Sequence, residues 1–198
     1  MPSPAGPTAI AGAVLCGGAS RRMGTDKALI PIDGVPLAER VARTLEAAGC
    51  APVVFVGGDG RALAATGRRF VADRWPGQGP VGGVLTALAA LPDTAATLVA
   101  ACDLPALTPG TVATVLDAHR RAAIEGQAGP GEPPGVTMAD SGRAEPALAC
   151  WSAGAAALIA RLFPAERSLL AVARAVGAAT VPVVPATLRN ANRPADLP

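Results

Sequence analysis

Residues 15–27 read LCGGASRRMGTDK, and this stretch determines how the rest of the chain is interpreted. It follows an apolar run at residues 10–15 that has the character of a buried strand. Glycine lets the backbone approach a ligand closely because it has no Cβ. Arg21, Arg22 and Lys27 add positive charge to a loop rich in backbone N–H donors. Such donors beside cations bind phosphate, so we predict a phosphate-binding loop, with a solvated basic turn as the alternative.

The loop differs from two familiar phosphate-binding sequences. A Walker A loop ends in Gly-Lys-Ser/Thr, and the dinucleotide fingerprint has the spacing G-x-G-x-x-G. Neither pattern is present in residues 15–27. The sequence therefore predicts a third kind of phosphate loop.

Length and charge restrict the function classes. A chain of 198 residues can form a core, and we predict a single domain over residues 1–198. A net charge of +2 without an aromatic ladder argues against nucleic-acid binding. There is no apolar window of about 18 residues for a transmembrane helix. Residues 1–9 do not resemble a signal peptide, so we expect a cytoplasmic protein that binds no membrane.

The four cysteines are widely spaced, and the single histidine lies far from all of them in sequence. This spacing argues against a zinc site and favours reduced thiols. We interpret Cys102 as a core residue rather than a nucleophile. We place His119 on the surface or edge of a helix, and one histidine argues against a hydrolase triad.

Apolar β-rich runs alternate with segments of helical periodicity. We predict strands at residues 10–15, 53–56, 69–72, 97–102, 136–139, 147–151 and 180–184. We predict helices at residues 37–48, 61–65, 81–91, from 109 onward, 155–162 and 168–176. This alternation predicts a three-layer α/β fold with a mostly parallel central sheet. Residues 126–135 (GQAGPGEPPG) are expected to form a flexible loop.

Polar residues follow several predicted strands: Gly57-Gly58-Asp59, Asp73 and Asp103. In open α/β sheets, ligands bind beyond the carboxyl ends of the strands where strand order reverses. Asp103 comes directly after an apolar strand, and beside bound phosphates it would recruit Mg²⁺. The alternative for Asp103 is a turn or helix-capping residue.

Three further features are candidates for ligand contacts. Gly82 at a helix start allows the backbone to contact a base or phosphate, and close packing of helix on sheet is the alternative. Asp73 is either a ligand-binding residue or a turn residue. Asn190 and Asn192 carry amide groups that can serve a metal or a phosphate, although alternate residues of an extended segment point to opposite sides.

Six motifs lie in order along the chain: LxGGxSxRMGxDK at 15–27, GPVGG at 79–83, ACDLP at 101–105, EPAL at 145–148, RSL at 167–169 and NxNxPxDL at 190–197. Together they resemble the molybdenum cofactor guanylyltransferases, a family of the nucleotidyltransferase superfamily with a Rossmann-like fold. The resemblance covers almost the whole chain. It implies transfer of GMP from GTP to the terminal phosphate of molybdopterin carrying molybdenum, with release of pyrophosphate.

The resemblance also implies roles for individual residues. Lys27 and Arg22 would bind the triphosphate and Asp103 would bind Mg²⁺, which makes these three the catalytic candidates. Asn190 and Asn192 would lie on the acceptor side. The remaining residues of the implied nucleotide site are Leu15, Cys16, Gly17, Gly18, Asp73 and Gly82. The implied partners are GTP, molybdopterin, and transiently the proteins that deliver molybdopterin or mature molybdoenzymes.

Two differences from the related cytidylyltransferases favour guanine. Those enzymes usually carry Ala-Ala-Gly where this chain has Cys16-Gly17-Gly18, and aspartates in place of the two asparagines. Three positions depart from the guanylyltransferase pattern: Asp59 stands near a usual asparagine, Gly82 replaces alanine, and Arg193 replaces threonine. The alternatives are a cytidylyl- or sugar-phosphate-type nucleotidyltransferase, and a nucleotide-binding subunit without catalysis.

Overall fold

The computed structural model describes residues 9–17, 26–128 and 135–191, without the side chains of residues 127 and 128. The strands in these ranges are β1 Ile10–Leu15, β2 Pro31–Ile32, β3 Val35–Pro36, β4 Val53–Val56, β5 Phe70–Val71, β6 Ala96–Ala101, β7 Val136–Asp140, β8 Ala144–Ser152 and β9 Ala178–Pro182. The α-helices are α1 Leu37–Ala47, α2 Gly60–Ala64, α3 Pro80–Ala90, α4 Pro109–Ala128, α5 Ala156–Leu162 and α6 Leu169–Ala175. The 3₁₀ helices are Lys27–Leu29, Ala153–Ala155 and Pro185–Leu188.

The main sheet is mostly parallel, as predicted. Its strand order is β5-β4-β1-β6-β8-β7-β9, and β2 and β3 form a separate hairpin. Strand β8 runs antiparallel to both of its neighbours, while the pairs from β5 to β6 and the pair β7–β9 are parallel. A tight turn joins β7 to β8, and Gly142 adopts a φ of 98° in this turn.

Helices cover both faces of the sheet, which confirms the three-layer prediction. Successive side chains of a strand point to opposite faces, so a strand covered on both sides is apolar throughout. In β1, Ile10 and Val14 pack in the core shared with α1 and α4. Ala11 and Ala13 pack in the core shared with α3, α5 and α6. The continuous apolar run of β1 therefore follows from burial on both faces.

The order in which strands are added to the sheet reverses at β1. After β1 the chain builds β4 and β5 on one side, and β6 then pairs with β1 on the other side. The backbone bonds continue past the strand ends, because the amide of Cys16 donates to Val56 and the amide of Cys102 donates to Leu15. The carboxyl ends of β1, β4 and β6 therefore meet at one edge, which is the usual ligand position in such sheets.

Local features explain where α4 and β9 begin. The hydroxyl of Thr108, directly before the predicted helix start at residue 109, accepts a hydrogen bond from the amide of Thr111 and so caps α4. Strand β9 begins at Ala178, two residues before the predicted start. The reason is Gly177, whose φ of 79° reverses the chain directly after α6. Pairing with β7 then begins at once, before the β-branched residues are reached.

The predicted flexible loop overlaps the end of α4. The helix continues to Ala128, so Gly126 is helical rather than part of a loop. Residues 129–134 lie outside the described residues. Within the described part of the chain, no helix has both the length and the apolar character needed to cross a membrane.

The prediction for His119 was wrong. Its side chain is buried between α4 and the sheet, with 5% of its surface exposed. His119 follows Val112, Val115 and Leu116 at helical spacing, and all three are buried, so the histidine shares the core-facing side. Its ring nitrogens lie 3.0 Å from the Thr137 hydroxyl and 3.4 Å from the Ser152 hydroxyl. Burial, with a smaller contribution from Arg120, lowers the pKa of His119 below its ordinary value.

The buried histidine predicts a loss of stability at mildly acidic pH. Below the ordinary histidine pKa of about 6.5, His119 is protonated in the unfolded chain but stays neutral in the folded chain. The stability contribution of the neutral ring is complete above that pH and is lost as pH falls towards the lowered folded pKa. We expect the melting temperature of the wild type to fall more between pH 7.5 and 5.5 than that of His119→Gln. Equal slopes in thermal melts would contradict this expectation.

Candidate active site

The 3₁₀ helix after the predicted phosphate loop brings Lys27 to the end of β6. The ammonium of Lys27 lies 2.8 Å from Asp103 Oδ2, across 76 positions of sequence. The two side chains are 9% and 20% exposed, so most of the ion pair is shielded from water. Two of the three predicted catalytic residues therefore meet directly. Arg22, the third, lies outside the described residues.

The second carboxylate oxygen of Asp103 is available for a ligand. Asp103 Oδ1 is buried and has no hydrogen-bond partner among the described residues. Buried polar atoms are normally bonded, so an orphaned carboxylate oxygen is a candidate ligand for a cation. The described residues contain no cluster of three or more His, Cys, Asp or Glu side chains suited to a metal. This arrangement fits a hard cation held by one carboxylate together with phosphate oxygens and water.

The carboxy-terminal segment approaches the same site through its backbone. The amide of Ala191 donates to the carbonyl of Asp103 at 3.0 Å, which places the exposed Asn190 beside it. Asn190 also lines a groove of about 560 Å³ against the β7–β8 turn, with Arg143 and Glu145 on the other wall. Asn192 lies outside the described residues, so its predicted role stays a prediction.

The end of β1 meets the turn after β4 through close backbone contact. Gly57 and Gly58 have φ values of 71° and 85°, which residues with a Cβ rarely adopt. A Cβ on Gly57 would lie 3.3 Å from the Cα and N of Gly17. A Cβ on Gly58 would lie 3.0 Å from the carbonyl oxygen of Cys16. Glycine at these two turn positions is therefore required by the fold.

Gly17 differs from these two glycines. Its φ is outside the left-handed range, and it is exposed. Among the described residues, a Cβ on Gly17 would approach no atom closer than 3.6 Å, which is ordinary contact. Neither the backbone nor the described packing demands glycine there. The ligand contact of Gly17 stays a prediction, and the predicted contact of Gly18 lies outside the described residues.

Asp73 lies at the margin of the same edge. A Cβ added to Gly57 would lie 3.5 Å from the Cβ of Asp73. Asp73 Oδ1 accepts hydrogen bonds from the amide of Trp75 at 2.9 Å and the hydroxyl of Thr86 at 3.2 Å. The turn interpretation of Asp73 thus accounts for one carboxylate oxygen. A ligand contact through the other oxygen stays a prediction.

The two glycines of α3 serve close packing. A Cβ on Gly82 would lie 3.0 Å from the Cβ of Trp75 and 3.4 Å from the ring of Phe163. A Cβ on Gly83 would lie 3.1 Å from the side chain of Leu15. A Cβ at either position would therefore make an unusually tight contact unless the neighbouring side chain shifted by a few tenths of an ångström. Packing explains Gly82, and its nucleotide contact stays a prediction.

The cysteines at this edge are poorly suited to act as nucleophiles. Cys16 and Cys102 are buried at the ends of neighbouring strands. Burial raises the pKa of the Cys102 thiol to about 12, and burial raises the pKa of the Cys16 thiol well above its usual range. A thiol that stays protonated is a poor nucleophile. Cys102 is therefore the core residue that the sequence predicted.

Sequence reasoning missed Asp26. Asp26 Oδ1 accepts from the amide of Ala28 at 3.0 Å, and Oδ2 accepts from the amide of Asp59 at 2.9 Å. The available signal was the position of Asp26 directly before a short helix, because aspartate is preferred as a helix N-cap. The long-range bond had no sequence signal. Asp59 itself caps α2, because its Oδ1 accepts from the amides of Arg61 and Ala62.

Comparison with known proteins assigns the family. The sequence model of the MobA-like NTP transferase domain matches residues 12–182, which is most of the chain. The chain belongs to the MobA-like NTP transferase family. Enzymes of this kind generally use a divalent metal, which agrees with the orphaned oxygen of Asp103. The resemblance described from the sequence motifs is therefore confirmed at the level of the family.

Individual relatives agree with this family. A probable molybdenum cofactor guanylyltransferase of Opitutus terrae is 43% identical over 102 residues, covering 50% of each chain. The chain spans about half the length of the curated relatives it matches. The structure of a molybdopterin-guanine dinucleotide biosynthesis protein A of Archaeoglobus fulgidus superimposes with a TM-score of 0.69 at 24% identity, covering 93% of both chains. A nucleotidyl transferase of Methanothermobacter superimposes with a TM-score of 0.69 at 20% identity, covering 95% of this chain and 94% of that one. The MobA-like chain thus has the predicted Rossmann-like fold.

The packed turn after β4 predicts a difference between two glycines of positive φ. Gly58→Ala adds a strained backbone and a clash with the Cys16 carbonyl, whereas Gly34→Ala adds only the strained backbone because nothing lies within 4 Å. We expect Gly58→Ala to lower the free energy of unfolding by about 1 kcal/mol more than Gly34→Ala, as measured by urea denaturation. Equal losses in the two variants would contradict the close approach of Gly58 to Cys16.

Proposed function

We propose that the protein transfers GMP from GTP to the terminal phosphate of molybdopterin carrying molybdenum, and releases pyrophosphate. The observation that carries the proposal is the Lys27–Asp103 pair with the unbonded Asp103 Oδ1, at the edge where strand order reverses. A cation and a free carboxylate oxygen at this edge suit a metal-bound triphosphate. The names of the relatives supply the substrates, and family membership supplies the reaction class.

The reaction itself asks little covalent chemistry of the protein. An oxygen of the acceptor phosphate attacks the α-phosphorus of GTP, and the bond between that phosphorus and the bridging oxygen to the β-phosphate breaks. The electron pair of the broken bond leaves with pyrophosphate. Catalysis then consists of holding donor and acceptor in line and neutralising charge on the phosphates.

Asp103 and Lys27 divide this charge neutralisation. Asp103 Oδ1 would hold Mg²⁺, which when bound supplies positive charge to the phosphate oxygens. Lys27 now donates to Oδ2 of the same carboxylate, so its ammonium already lies next to the metal position. In the complex, Lys27 would donate to the triphosphate together with Arg22. Shielding of the pair from water strengthens its interaction with the phosphates.

The ends of β1 and β4 are the proposed base side. Leu15, Cys16, Gly17 and Gly18 would bring backbone to the guanine and ribose, with Asp73 and Gly82 at the margin. The packing of Gly17 supports this assignment, because no described contact requires glycine at this position. Asp59 is a weaker candidate for base recognition, since one of its carboxylate oxygens caps α2.

The groove beside Asn190 is the proposed acceptor side. Its lining residue Asn190 directly precedes Ala191, whose amide donates to the carbonyl of Asp103. Asn190 and Asn192 would orient molybdopterin so that its phosphate reaches the α-phosphate of GTP. We also propose that molybdopterin arrives, and the product leaves, through transient contact with delivery and maturation proteins in the cytoplasm.

One assay separates this function from its alternatives. The protein is incubated with Mg²⁺, molybdenum-loaded molybdopterin and each nucleoside triphosphate in turn, and pyrophosphate is measured. We expect turnover with GTP. Turnover with CTP alone would indicate a cytidylyltransferase. GTP binding without pyrophosphate release would indicate a subunit without catalysis.

Asp103→Asn tests the metal role. We expect a loss of turnover of at least about 100-fold, since charge stabilisation is removed where phosphate charge develops. The matched control is Asp117→Asn, which breaks an exposed ion pair with Arg120 on α4 and should keep full activity. Circular dichroism should show both variants folded. A folded Asp103→Asn protein with wild-type rates in Mg²⁺ would refute the role.

Gly17→Ala tests the base side. The added methyl group has room in the described structure, so we expect a melting temperature close to that of the wild type. The methyl group would occupy the space proposed for guanine, so we expect a higher KM for GTP with kcat changed less. The measurement is a set of initial rates at varied GTP. An unchanged KM would argue that the base lies elsewhere.

A further inference from the structure

The carboxylate of Asp26 connects two segments of the candidate site that are far apart in sequence. One oxygen accepts from the amide of Ala28 and so caps the 3₁₀ helix that begins at Lys27. The other oxygen accepts from the amide of Asp59, 33 positions away, in the turn after β4. Both described partners of this charged group are backbone donors, and such charge-assisted bonds are stronger than neutral ones.

The turn that Asp26 holds is the wall of the proposed base side. A Cβ on Gly58 would lie 3.1 Å from Asp26 Oδ2, so the carboxylate rests directly against this turn. A Cβ on Gly57, the preceding turn residue, would lie 3.3 Å from Gly17. The turn therefore contacts both Asp26 and the end of β1. A displacement of the turn would change the space above Gly17.

Asp26 and Lys27 are adjacent, yet they bond to opposite sides of β1. Asp26 reaches the turn after β4, and Lys27 reaches Asp103 after β6. Strand β1 lies between β4 and β6 in the sheet. These two residues therefore link the base side to the phosphate side of the site. The position of one side depends on the same short helix as the position of the other.

We propose that Asp26 is a positioning residue that holds the Gly57-Gly58 turn in place for nucleotide binding, and that it thereby sets both the affinity for GTP and the selectivity for its base. The proposal rests on the proposed nucleotidyl transfer for the identity of the ligand. Asp26 acts on the nucleotide through the turn and not by contact. Its effect is expected on nucleotide binding more than on the chemical step, because an ordered turn lowers the cost of binding.

The competing explanation is that Asp26 only caps the 3₁₀ helix. Capping alone would affect stability and the placement of Lys27, which acts on the phosphates common to all nucleotides. It would not change the choice of base. The base selectivity of a variant therefore separates the two explanations.

Asp26→Asn is the decisive variant. Asparagine has the same shape but one acceptor oxygen, so it can satisfy the amide of Ala28 or that of Asp59, not both. The matched control is Asp33→Asn, an exposed carboxylate in the β2–β3 turn that lies 3.6 Å from Arg40. Asparagine tolerates the positive φ of 51° at that position. Both variants remove one negative charge from the same segment of the chain.

The measurements are titration calorimetry of all four nucleoside triphosphates in Mg²⁺ and initial rates of pyrophosphate release with molybdopterin. For Asp26→Asn we expect the Kd for GTP to rise roughly tenfold, with a smaller preference for GTP over CTP. At saturating GTP we expect kcat to stay within about threefold of wild type. Asp33→Asn should match the wild type in all of these values.

Three results would overturn the proposal: an unchanged Kd for GTP, an equal loss of affinity for all four nucleotides, or a reduced kcat with unchanged affinity. Gly58→Ala gives a second test, since it disturbs the same turn and leaves the carboxylate intact. If Asp26→Asn is unfolded, retained base selectivity in Gly58→Ala overturns the proposal. Calorimetry needs no turnover, so a wild type that binds GTP without transferring it refutes the proposed function and leaves this test in force.

Discussion

The ion pair between Lys27 and Asp103 is the interaction on which the candidate site depends. Two opposite charges lie 2.8 Å apart and are largely shielded from water, so each would be costly without the other. The pair joins the helix after the phosphate loop to the end of β6. It therefore fixes the start of this helix against the end of β6. Asp103 keeps one buried oxygen outside the pair, and this oxygen is the position at which a metal fits.

The pair can form only because of the sheet topology. Strand β1 lies between β4 and β6, and the carboxyl ends of these three strands meet at one edge. Polar residues that follow these strands are thereby brought to the same edge, although Asp26, Asp59 and Asp103 are far apart in the sequence. Glycines then allow backbone to approach backbone. Gly57 and Gly58 are required by the turn, whereas no described contact requires glycine at position 17.

Part of the candidate site could be predicted because its residues carry local signals. Asp103 follows an apolar strand, Lys27 ends a glycine-rich loop, and the cap at Thr108 obeys a short-range rule. The errors occurred where distant packing decides. His119 was predicted at the surface or edge of a helix, yet the helix face it shares is buried against the sheet. The role of Asp26 was missed because its partner, the amide of Asp59, has no side-chain signature.

The sequence by itself determined the strand and helix alternation, the family, and which side chains were candidates for phosphate and metal binding. These properties follow from periodicity and from motifs of contiguous residues. Only the tertiary structure decided that Lys27 pairs with Asp103, that Gly82 packs against Trp75, and that Asp26 supports the turn after β4. Such contacts join residues far apart in the chain. Their geometry is set by strand order and by the depth of burial, and neither is encoded in the spacing of nearby residues.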